Sequence, residues 1–452
     1  MSTTTQVLDA PRRGSIGLLS CVAFAVGTMV GAGVFVLSGL AVQRAGPAAT
    51  VSFVLAGVLV LLSALSFAVV ASLAPPGGSG YAYVRTALGA RVGFLASWAF
   101  WLGGVIGVAF VLNAFGSYLH DFFVPALPAT LVAVVAVALV AVLNMGPASL
   151  IGRAETALVA VKVGILALLV VYALAHLGRA HFTPFLPHGP GAVVTTSGML
   201  FIAYLGFNVV TNMAGDVDRP QRTIPLAILI SMALVALIYI GVVIALLAGG
   251  ISSYDEASVG TAARNLIGGW GGILIPIGAL ISTLSAANAN MLGSSEIMVR
   301  LAADRQVPTV AGRLWHGHPA VSVLAASATA VVLLSTGDIQ AIVALGNVAA
   351  IIAMVLVNAA AARAQITPGA GGIRLPVGPA LPVLGALAAL AQLVFIGWRA
   401  TLLGLALVAA GLGLHALRGW YHPGHHATIS DHLRRNAGPA GRALRRRAAG
   451  RA

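Results

Sequence analysis

Long uncharged runs alternate along the chain with short stretches that hold most of its charged residues. The first run extends over thirty residues, from Gly14 to Gln43, and comparable runs follow it. Each run is long enough for at least one membrane span of about 20 residues. The pattern therefore predicts an all-α integral membrane protein with twelve transmembrane helices. We place them near residues 15–42, 48–74, 89–119, 127–146, 155–178, 195–215, 223–249, 270–300, 318–336, 339–363, 379–396 and 399–417.

The composition agrees with this pattern. The chain has 452 residues, of which 59% are hydrophobic and only 8% are charged, whereas soluble proteins carry about 25% charged residues. The first run is not interpreted as a cleavable signal peptide, because its apolar part is too long and eleven similar segments follow. A single cysteine, Cys21, excludes an internal disulfide.

The net charge of +14 is distributed unevenly. If the N-terminus is cytoplasmic, twenty arginines lie on that side of the predicted topology and four lie on the other. The four are Arg44, Arg179, Arg264 and Arg399. This positive-inside asymmetry predicts a multi-pass protein of the plasma (inner) membrane with both termini cytoplasmic. The arginine-rich end after Arg418 is expected to lie against anionic lipid, so the basicity does not indicate a nucleic-acid partner.

Three glycines, Gly27, Gly31 and Gly33, lie in the middle of the first run, where each costs about 1 kcal/mol relative to alanine in a helix. Close helix packing is one explanation, since Gly27 and Gly31 form a GxxxG motif. The other is an interruption of the helix, which membranes tolerate where the backbone lines a cavity or is buried in protein. Free amides and carbonyls at such an interruption suit a zwitterion.

A second interruption is predicted in the sixth helix, which carries Gly206 in mid-span and a proline-rich exit with Pro220 and Pro225. Interruptions at corresponding positions of two halves indicate a transporter site built on inverted repeats. Helices one and six are five apart, as two five-helix repeats plus two extra helices require.

Four motifs resemble the amino acid–polyamine–organocation (APC) superfamily, in the right order and over about residues 15–310. They are "GTMVGAGVF" in helix one, "PPGGSGYAYVRTALG" between helices two and three, "FIAYLGF" with "DRPQRTIPLAI" at helix six, and "LAADRQVP" after helix eight. The resemblance implies the LeuT-type fold and transport of amino acids or related amines. The implied units are a cytoplasmic N-terminus (1–14), two repeats (15–178 and 195–363), helices eleven and twelve (379–417) and a basic tail (418–452).

The chain departs from the family pattern at several positions. Asn208 stands where many members carry an acid, and Arg219 stands where an asparagine is usual. Ile202 replaces an aromatic residue that often gates the site, and Ser295 and Glu296 occupy the region of a common arginine. These departures weaken any inference about substrate identity, but they leave a backbone-built site intact.

The predicted substrate site uses mainly backbone groups. The amides of Ala32 and Gly33, at a half-helix N-terminus, should take a carboxylate. By transfer of family positions, the carbonyls of Met29, Ile202 and Leu205 should take the ammonium group. Nearby aromatic residues either line the site or serve ordinary packing. The predicted set is Met29, Gly31, Ala32, Gly33, Phe201, Ile202, Tyr204 and Leu205.

Lys162 is the only lysine among 25 basic residues and lies inside predicted helix five. A charged lysine at the centre of a span costs about 2.5–3.5 kcal/mol, and lysine, unlike arginine, can lose its proton. The residue resembles the helix-five lysine of proton-coupled family members. Protonated Lys162 would donate to carbonyls freed around Gly27 and Val30. A fixed cation that holds helices together and a snorkelling side chain are the alternatives.

Helix eight would complete this proton-coupling site with the hydroxyls of Ser282 and Thr283, which match where the fold places hydroxyl ligands. In sodium-coupled relatives of the fold a sodium ion lies here, but no carboxylate falls in mid-span near these residues. We therefore expect no sodium site, no other metal and no cofactor. Glu155, two turns before Lys162, is a candidate cytoplasmic proton exit or, alternatively, a solvated interfacial glutamate.

These features predict a secondary active transporter that imports amino acids by sodium-independent proton symport through alternating access. The sequence has no HExxH motif and no paired acids at membrane depth, so an enzyme is not predicted. An amino acid or amine exchanger with Lys162 as a fixed cation is one alternative, and a transporter-like sensor is another. The sequence leaves the amino acid carried and the oligomeric state open.

Overall fold

The computed structural model describes residues 16–73, 80–145, 149–212, 217–315, 318–367 and 372–421, and in these ranges the regular structure is helical. The predicted N-terminal unit (1–14) and residues 422–452 of the basic tail lie outside the described residues. In chain order the α-helices are α1 (Leu18–Met29), α2 (Ser38–Ala45), α3 (Ala49–Ser72), α4 (Gly80–Leu88), α5 (Ala90–Phe122), α6 (Ala129–Asn144), α7 (Ser149–Ala175), α8 (Gly189–Leu200), α9 (Asn208–Asn212), α10 (Pro220–Ala248), α11 (Ser258–Ile267), α12 (Gly271–Ala303), α13 (Ala320–Leu334), α14 (Ile339–Ile366), α15 (Ala380–Ile396) and α16 (Trp398–Tyr421).

Seven helical stretches of the described chain are long and apolar enough to cross a membrane. They are Gly33–Ser72, Ala90–Phe122, Leu158–Ala175, Pro220–Ala248, Gly271–Ala303, Ile339–Ile366 and Trp398–Ala416. Four shorter apolar helices, α1, α6, α13 and α15, accompany them. The described part of the chain is thus helical with several candidate membrane spans, as in a multi-pass membrane protein, while the number of twelve crossings stays a prediction.

Most helix boundaries lie within three residues of their predicted positions, and two helices begin six residues earlier. Helix α8 begins at Gly189 and includes Pro190 in its first turn. Proline has no backbone N–H, and an N–H at this position would have had no intrahelical acceptor. Helix α7 begins at Ser149 and includes the charged Arg153, ahead of the apolar run. Polarity marks where a helix leaves lipid, and it does not mark where helical hydrogen bonding ends.

Helix α5 lies at the centre of the bundle and packs against α12 and α14. Its small residues allow close approach, as at Gly107, where a Cβ atom would lie 3.2 Å from Cγ of Asn290 on α12. Helix α10 packs against α1, α3 and α7. Large apolar side chains on the outer helices remain exposed, among them Val135, Val171 and Leu237. These exposed faces suit contact with lipid.

The bundle has two ends, which we name by their residues. At the terminal end, the backbone of Ile16 pairs with that of Val217. Arg85 Nη1 lies 2.5 Å from Asp304 Oδ2 at the same end, and this ion pair joins the motif between helices two and three to the motif after helix eight. We call the opposite end, where α2 ends at Ala45, the distal end. There Arg44 donates to Gln340 Oε1, close to the turn between α15 and α16.

A half-buried carboxyl group, that of Glu256, lies in the loop before α11 at the distal end. Its Oε2 accepts a hydrogen bond from Ser117 Oγ at 3.1 Å. Burial raises the pKa of Glu256 above its ordinary value, the hydrogen bond from Ser117 opposes this rise, and nearby carboxylates such as Asp255 add to it. The charged form of Glu256 is therefore disfavoured in the folded protein.

We expect Glu256→Gln to raise the melting temperature at neutral pH. Because the pKa is raised on folding, the carboxyl group lowers stability as the pH rises through that pKa. Glutamine avoids this loss and still accepts from Ser117. The gain should vanish below the ordinary carboxyl pKa of about 4.3. Thermal unfolding of wild type and Glu256→Gln in detergent, at about pH 7 and about pH 4, measures this difference in melting temperature.

Ser117→Ala provides the companion variant, because it removes the hydrogen bond that stabilises the charged form. It should lower the melting temperature at neutral pH and have little effect in acid. Equal melting temperatures for wild type and Glu256→Gln at neutral pH would contradict the electrostatic explanation.

Candidate functional site at two adjoining helix interruptions

The first interruption follows the end of α1 at Met29. Val30 has φ −77° and ψ 73°, and the Gly31 amide donates to Met29 O at 2.9 Å. These values describe an inverse γ-turn. The chain is helical again from Ala32, first as a π-helix over Gly33–Leu37 and then as α2. The Gly31 amide is therefore used within the turn, while Ala32 and Gly33 begin a new helical segment, where amides lack intrahelical acceptors.

The second interruption follows the end of α8 at Leu200. A 3₁₀ turn covers Phe201–Tyr204, Leu205 is extended, and Gly206 has a φ of 127° before α9 begins. This φ favours glycine. A Cβ atom at Gly206 would also lie 3.0 Å from the backbone nitrogen of Met29, so the two interruptions touch each other.

The three glycines of the first run have different neighbours. A Cβ atom at Gly27 would collide with Val159 on α7, so Gly27 serves close helix packing. A Cβ atom at Gly33 would lie 3.0 Å from Ala203 Cβ in the second interruption. At Gly31 the corresponding neighbour is Ala286 on α12, at 3.3 Å. Both explanations raised by the sequence therefore apply, each to its own residues.

Tyr239 on α10 joins the two interruptions. Its fully buried hydroxyl lies 3.0 Å from Met29 O and 2.7 Å from Ala203 O. A tyrosine hydroxyl has one hydrogen to donate, so the two carbonyls share it. Sequence reasoning missed this residue. The available signal was a tyrosine within an apolar run, since a buried tyrosine hydroxyl usually finds a partner.

Helix α12 reaches the first interruption through one of the two predicted hydroxyls. Ser282 Oγ donates to Val30 O at 2.8 Å. The hydroxyl of Thr283 instead donates within its own helix, to Ala279 O at 2.8 Å or Leu280 O at 3.0 Å. The structure thus places Ser282 at the freed carbonyl and turns Thr283 back onto α12.

Lys162 is buried, with 1% of its surface exposed, on the face of α7 that packs between α1 and α12. Val159, one turn before it, contacts Gly27 of α1. Ile165, one turn after it, lies 3.1 Å from where a Cβ atom of Gly278 on α12 would be. Residues three apart share a helix face, so Lys162 lies between these contacts. Glu155 is in α7, but its side chain is not among those that the structure describes.

The predicted aromatic residues are buried and well packed. Tyr204 Oη donates to Phe53 O on α3 at 2.9 Å, and its ring packs edge-on against Tyr239 at 5.3 Å. Phe201 is fully buried as well. Ile202 is buried, and its carbonyl accepts from the Leu205 amide at 3.1 Å. Packing accounts for Tyr204, and a ligand at Ile202 O would share that oxygen with an existing bond.

Comparison with known proteins identifies similar chains. The family model described as Amino acid permease matches residues 21–402. The chain is 32% identical to the Inner membrane transport protein YbaT of Escherichia coli (strain K12), over 66% of this chain and 72% of that relative. It is 30% identical to the Methylthioribose transporter of Bacillus subtilis (strain 168), over 52% and 54% of the two chains. It is 26% identical to the Branched-chain amino acid permease BcaP of the same organism, over 67% and 70%.

We expect Tyr239→Phe to destabilise the protein, because Ala203 O loses its hydroxyl donor and Met29 O keeps only the Gly31 amide. An unsatisfied buried acceptor costs about 1–3 kcal/mol. Tyr204→Phe is the matched control, since its hydroxyl serves one carbonyl inside α3. The melting temperature of the purified protein should fall further for Tyr239→Phe. A smaller fall than for Tyr204→Phe would show that Tyr239 does not stabilise the interruptions.

Proposed function

The chain belongs to the amino acid permease family, and from that premise we propose that it imports amino acids by proton-coupled, sodium-independent symport. Its family and relatives make it a membrane transporter and not an enzyme. The observation that carries the proposal is the contact between two helix interruptions inside the bundle, at Gly206 against Met29 and at Gly33 against Ala203. Interrupted backbone within a membrane protein is tolerated where it builds a site.

We propose the LeuT-type fold of inverted five-helix repeats, with repeats over residues 15–178 and 195–363 followed by helices over 379–417. The two interruptions support it because they fall in the predicted first and sixth helices, which open the two repeats. In this fold the interrupted helices rock against the rest, which gives alternating access.

The proposed substrate is an amino acid zwitterion held by backbone groups. The amides of Ala32 and Gly33 begin a helical segment and would take the carboxylate, helped by the helix dipole. The carbonyls of Met29, Ile202 and Leu205 would take the ammonium group. Because one Tyr239 hydrogen serves Met29 O and Ala203 O, its donation to Ala203 O would leave Met29 O bonded to the Gly31 amide alone. The second lone pair of Met29 O would then accept from the ligand.

The proposed proton carrier is Lys162. Its burial on the face of α7 between α1 and α12 puts it beside the first interruption, near Gly27. Protonated, it would donate to carbonyls freed around Gly27 and Val30, and neutral, it would release α1. Glu155 is proposed as the cytoplasmic proton exit.

Sodium independence is proposed from the polar side chains that α12 presents near the first interruption. Ser282 already donates to Val30 O, and the Thr283 hydroxyl is bonded within α12. The acidic residue of α12, Glu296, lies fourteen positions beyond Ser282. Fourteen residues span about 21 Å of helix, so Glu296 does not supply a carboxylate ligand beside Ser282.

The proposed location is the inner membrane, with both termini cytoplasmic and the distal end facing outward. The arginine asymmetry of the predicted topology supports this orientation. The Escherichia coli relative is named as an inner membrane transport protein.

Reconstituted liposomes test the proposal with tritiated L-leucine, L-alanine and L-arginine as probes. An inward acid gradient should drive accumulation of at least one probe, and replacing sodium with choline should change nothing. Lys162→Arg keeps the charge but cannot release a proton, so acid-driven accumulation should fall to the level of empty liposomes.

Lys162→Arg must also elute as wild type in size-exclusion chromatography, which controls for folding. Undiminished acid-driven accumulation by this variant would make Lys162 a fixed cation and would favour an exchanger. Strong sodium dependence would contradict the proposed coupling ion.

Gly33→Ala tests the site itself, because the added Cβ atom would press on Ala203 at 3.0 Å. We expect at least a tenfold loss of affinity for the transported probe. Gly191→Ala is the control, since a Cβ atom there meets nothing within 4 Å. A scintillation proximity assay measures the affinity of both variants for the transported probe. Unchanged affinity in Gly33→Ala would show that Gly33 serves helix packing alone.

A further inference from the structure

A cavity of about 360 Å³ lies at the distal end, and none of its lining residues belongs to the predicted substrate site. Residues of α2, α8 and α14 and the turn between α15 and α16 line it. Arg44, Gln340 and Arg399 lie among its charged and polar lining residues, and Met199 and Phe395 among its apolar ones. A few polar groups in an apolar wall are typical of small-molecule sites, and the volume falls in their range.

Two cations face this cavity. Arg44 donates to the neutral Gln340, and the Arg399 guanidinium lies 5.4 Å from the centre of the Trp398 ring. Among the described residues, ion pairs occur at Arg85–Asp304 and His120–Asp121, and neither arginine of the cavity has an acidic partner. Only four arginines are predicted on this side of the membrane, and two of them line one cavity. Unpaired cations at a cleft attract anions, and the guanidinium fork fits a carboxylate.

A buried hydrogen-bond acceptor, Asn347 Oδ1, lies further along α14, the helix that carries Gln340. Asn347 lines the cavity and is fully buried, and its Nδ2 donates to Gly198 O at 2.9 Å and to Met199 O at 3.3 Å. Because these carbonyls fix which amide atom is the nitrogen, the oxygen is assigned as well. Asn347 Oδ1 has no hydrogen-bond partner among the described residues. A ligand with a hydrogen-bond donor would satisfy it.

The cavity also adjoins the second interruption. Met199, one of its lining residues, is two positions before Phe201, where the 3₁₀ turn begins. Gln340 and Asn347 are seven residues apart on α14, about 10 Å along a helix. Arg44, through its contact with Gln340, and the buried Asn347 therefore lie along one face of α14.

We propose that this cavity is a second recognition site for the transported amino acid, which it binds before the molecule reaches the interruptions. The carboxylate lies at Arg44 and Arg399, a donor group of the ligand meets Asn347 Oδ1, and apolar atoms contact Met199 and Phe395. This proposal rests on the proposed function, because it assumes that the same molecule occupies both sites. A carboxylate accepts more strongly than a neutral amide, so the ligand takes Arg44 from Gln340.

Binding stoichiometry tests the proposal on the full chain in phosphatidylcholine nanodiscs, with the transported probe chosen from tritiated L-leucine, L-alanine and L-arginine. Wild type should bind two molecules per chain. Arg399→Gln should weaken one of the two sites at least tenfold, and Arg399→Lys should restore part of the affinity. Arg264→Gln is the control, because Arg264 is on the same predicted side but packs over Phe122 and does not line the cavity.

The outcomes separate this proposal from the proposed function. Gly33→Ala should weaken the site at the interruptions at least tenfold, so that one tightly bound molecule per chain remains, held in an Arg399-dependent way. One molecule per chain in wild type, with acid-driven uptake intact, overturns the second site and leaves the transport proposal standing. Loss of all binding in Gly33→Ala also overturns the second site and leaves the transport proposal standing. Absence of saturable binding and of uptake for all three probes contradicts both proposals.

A lipid phosphate is the competing occupant, because the cavity opens beside the exposed Trp398. Nanodiscs with about one third phosphatidylglycerol distinguish an amino acid in the cavity from a lipid phosphate. Unchanged stoichiometry in these nanodiscs supports the amino acid. Arg399-dependent retention of phosphatidylglycerol, together with one amino acid per chain, assigns the cavity to lipid and overturns the proposal.

Discussion

A peptide group that is buried at membrane depth has to find a hydrogen-bond partner, and this constraint shapes the centre of the protein. Two helices stop within the bundle, and their freed carbonyls are partnered by neighbouring elements. Tyr239 of α10 serves Met29 and Ala203, and Ser282 of α12 serves Val30. The interruptions are therefore held by hydroxyl groups from helices that are themselves continuous. Such bonds stabilise irregular backbone and can still be exchanged for bonds to a ligand.

The same arrangement brings three helices to one place. Gly27 allows α7 to approach α1, and the residues one turn to either side of Lys162 contact α1 and α12. A change of charge at Lys162 would act on the helix that ends at Met29 and on the helix that carries Ser282. In the proposed mechanism, proton and substrate therefore act on one segment of backbone. No long relay between distant sites is required.

Local patterns in the sequence predicted much of the fold and part of the site. Glycines within an apolar run indicated the interruption after Met29, because their cost in a helix needs an explanation. Tyr239 and the distal cavity were not predicted, since each depends on contacts between residues far apart in the chain, such as Arg44 with Gln340. Thr283 was chosen by position, and only the geometry shows that its hydroxyl bonds within α12. The start of α7 was missed because helix formation continues beyond the apolar run.

The use of arginine at every basic position but one has a practical consequence. Lys162 carries the only side-chain primary amine of the chain, and it is buried within the bundle. Reagents that acylate amines can therefore modify only this side chain and the N-terminus. The rate of acylation at Lys162 would report how often solvent reaches the junction of α1, α7 and α12, without any engineered label.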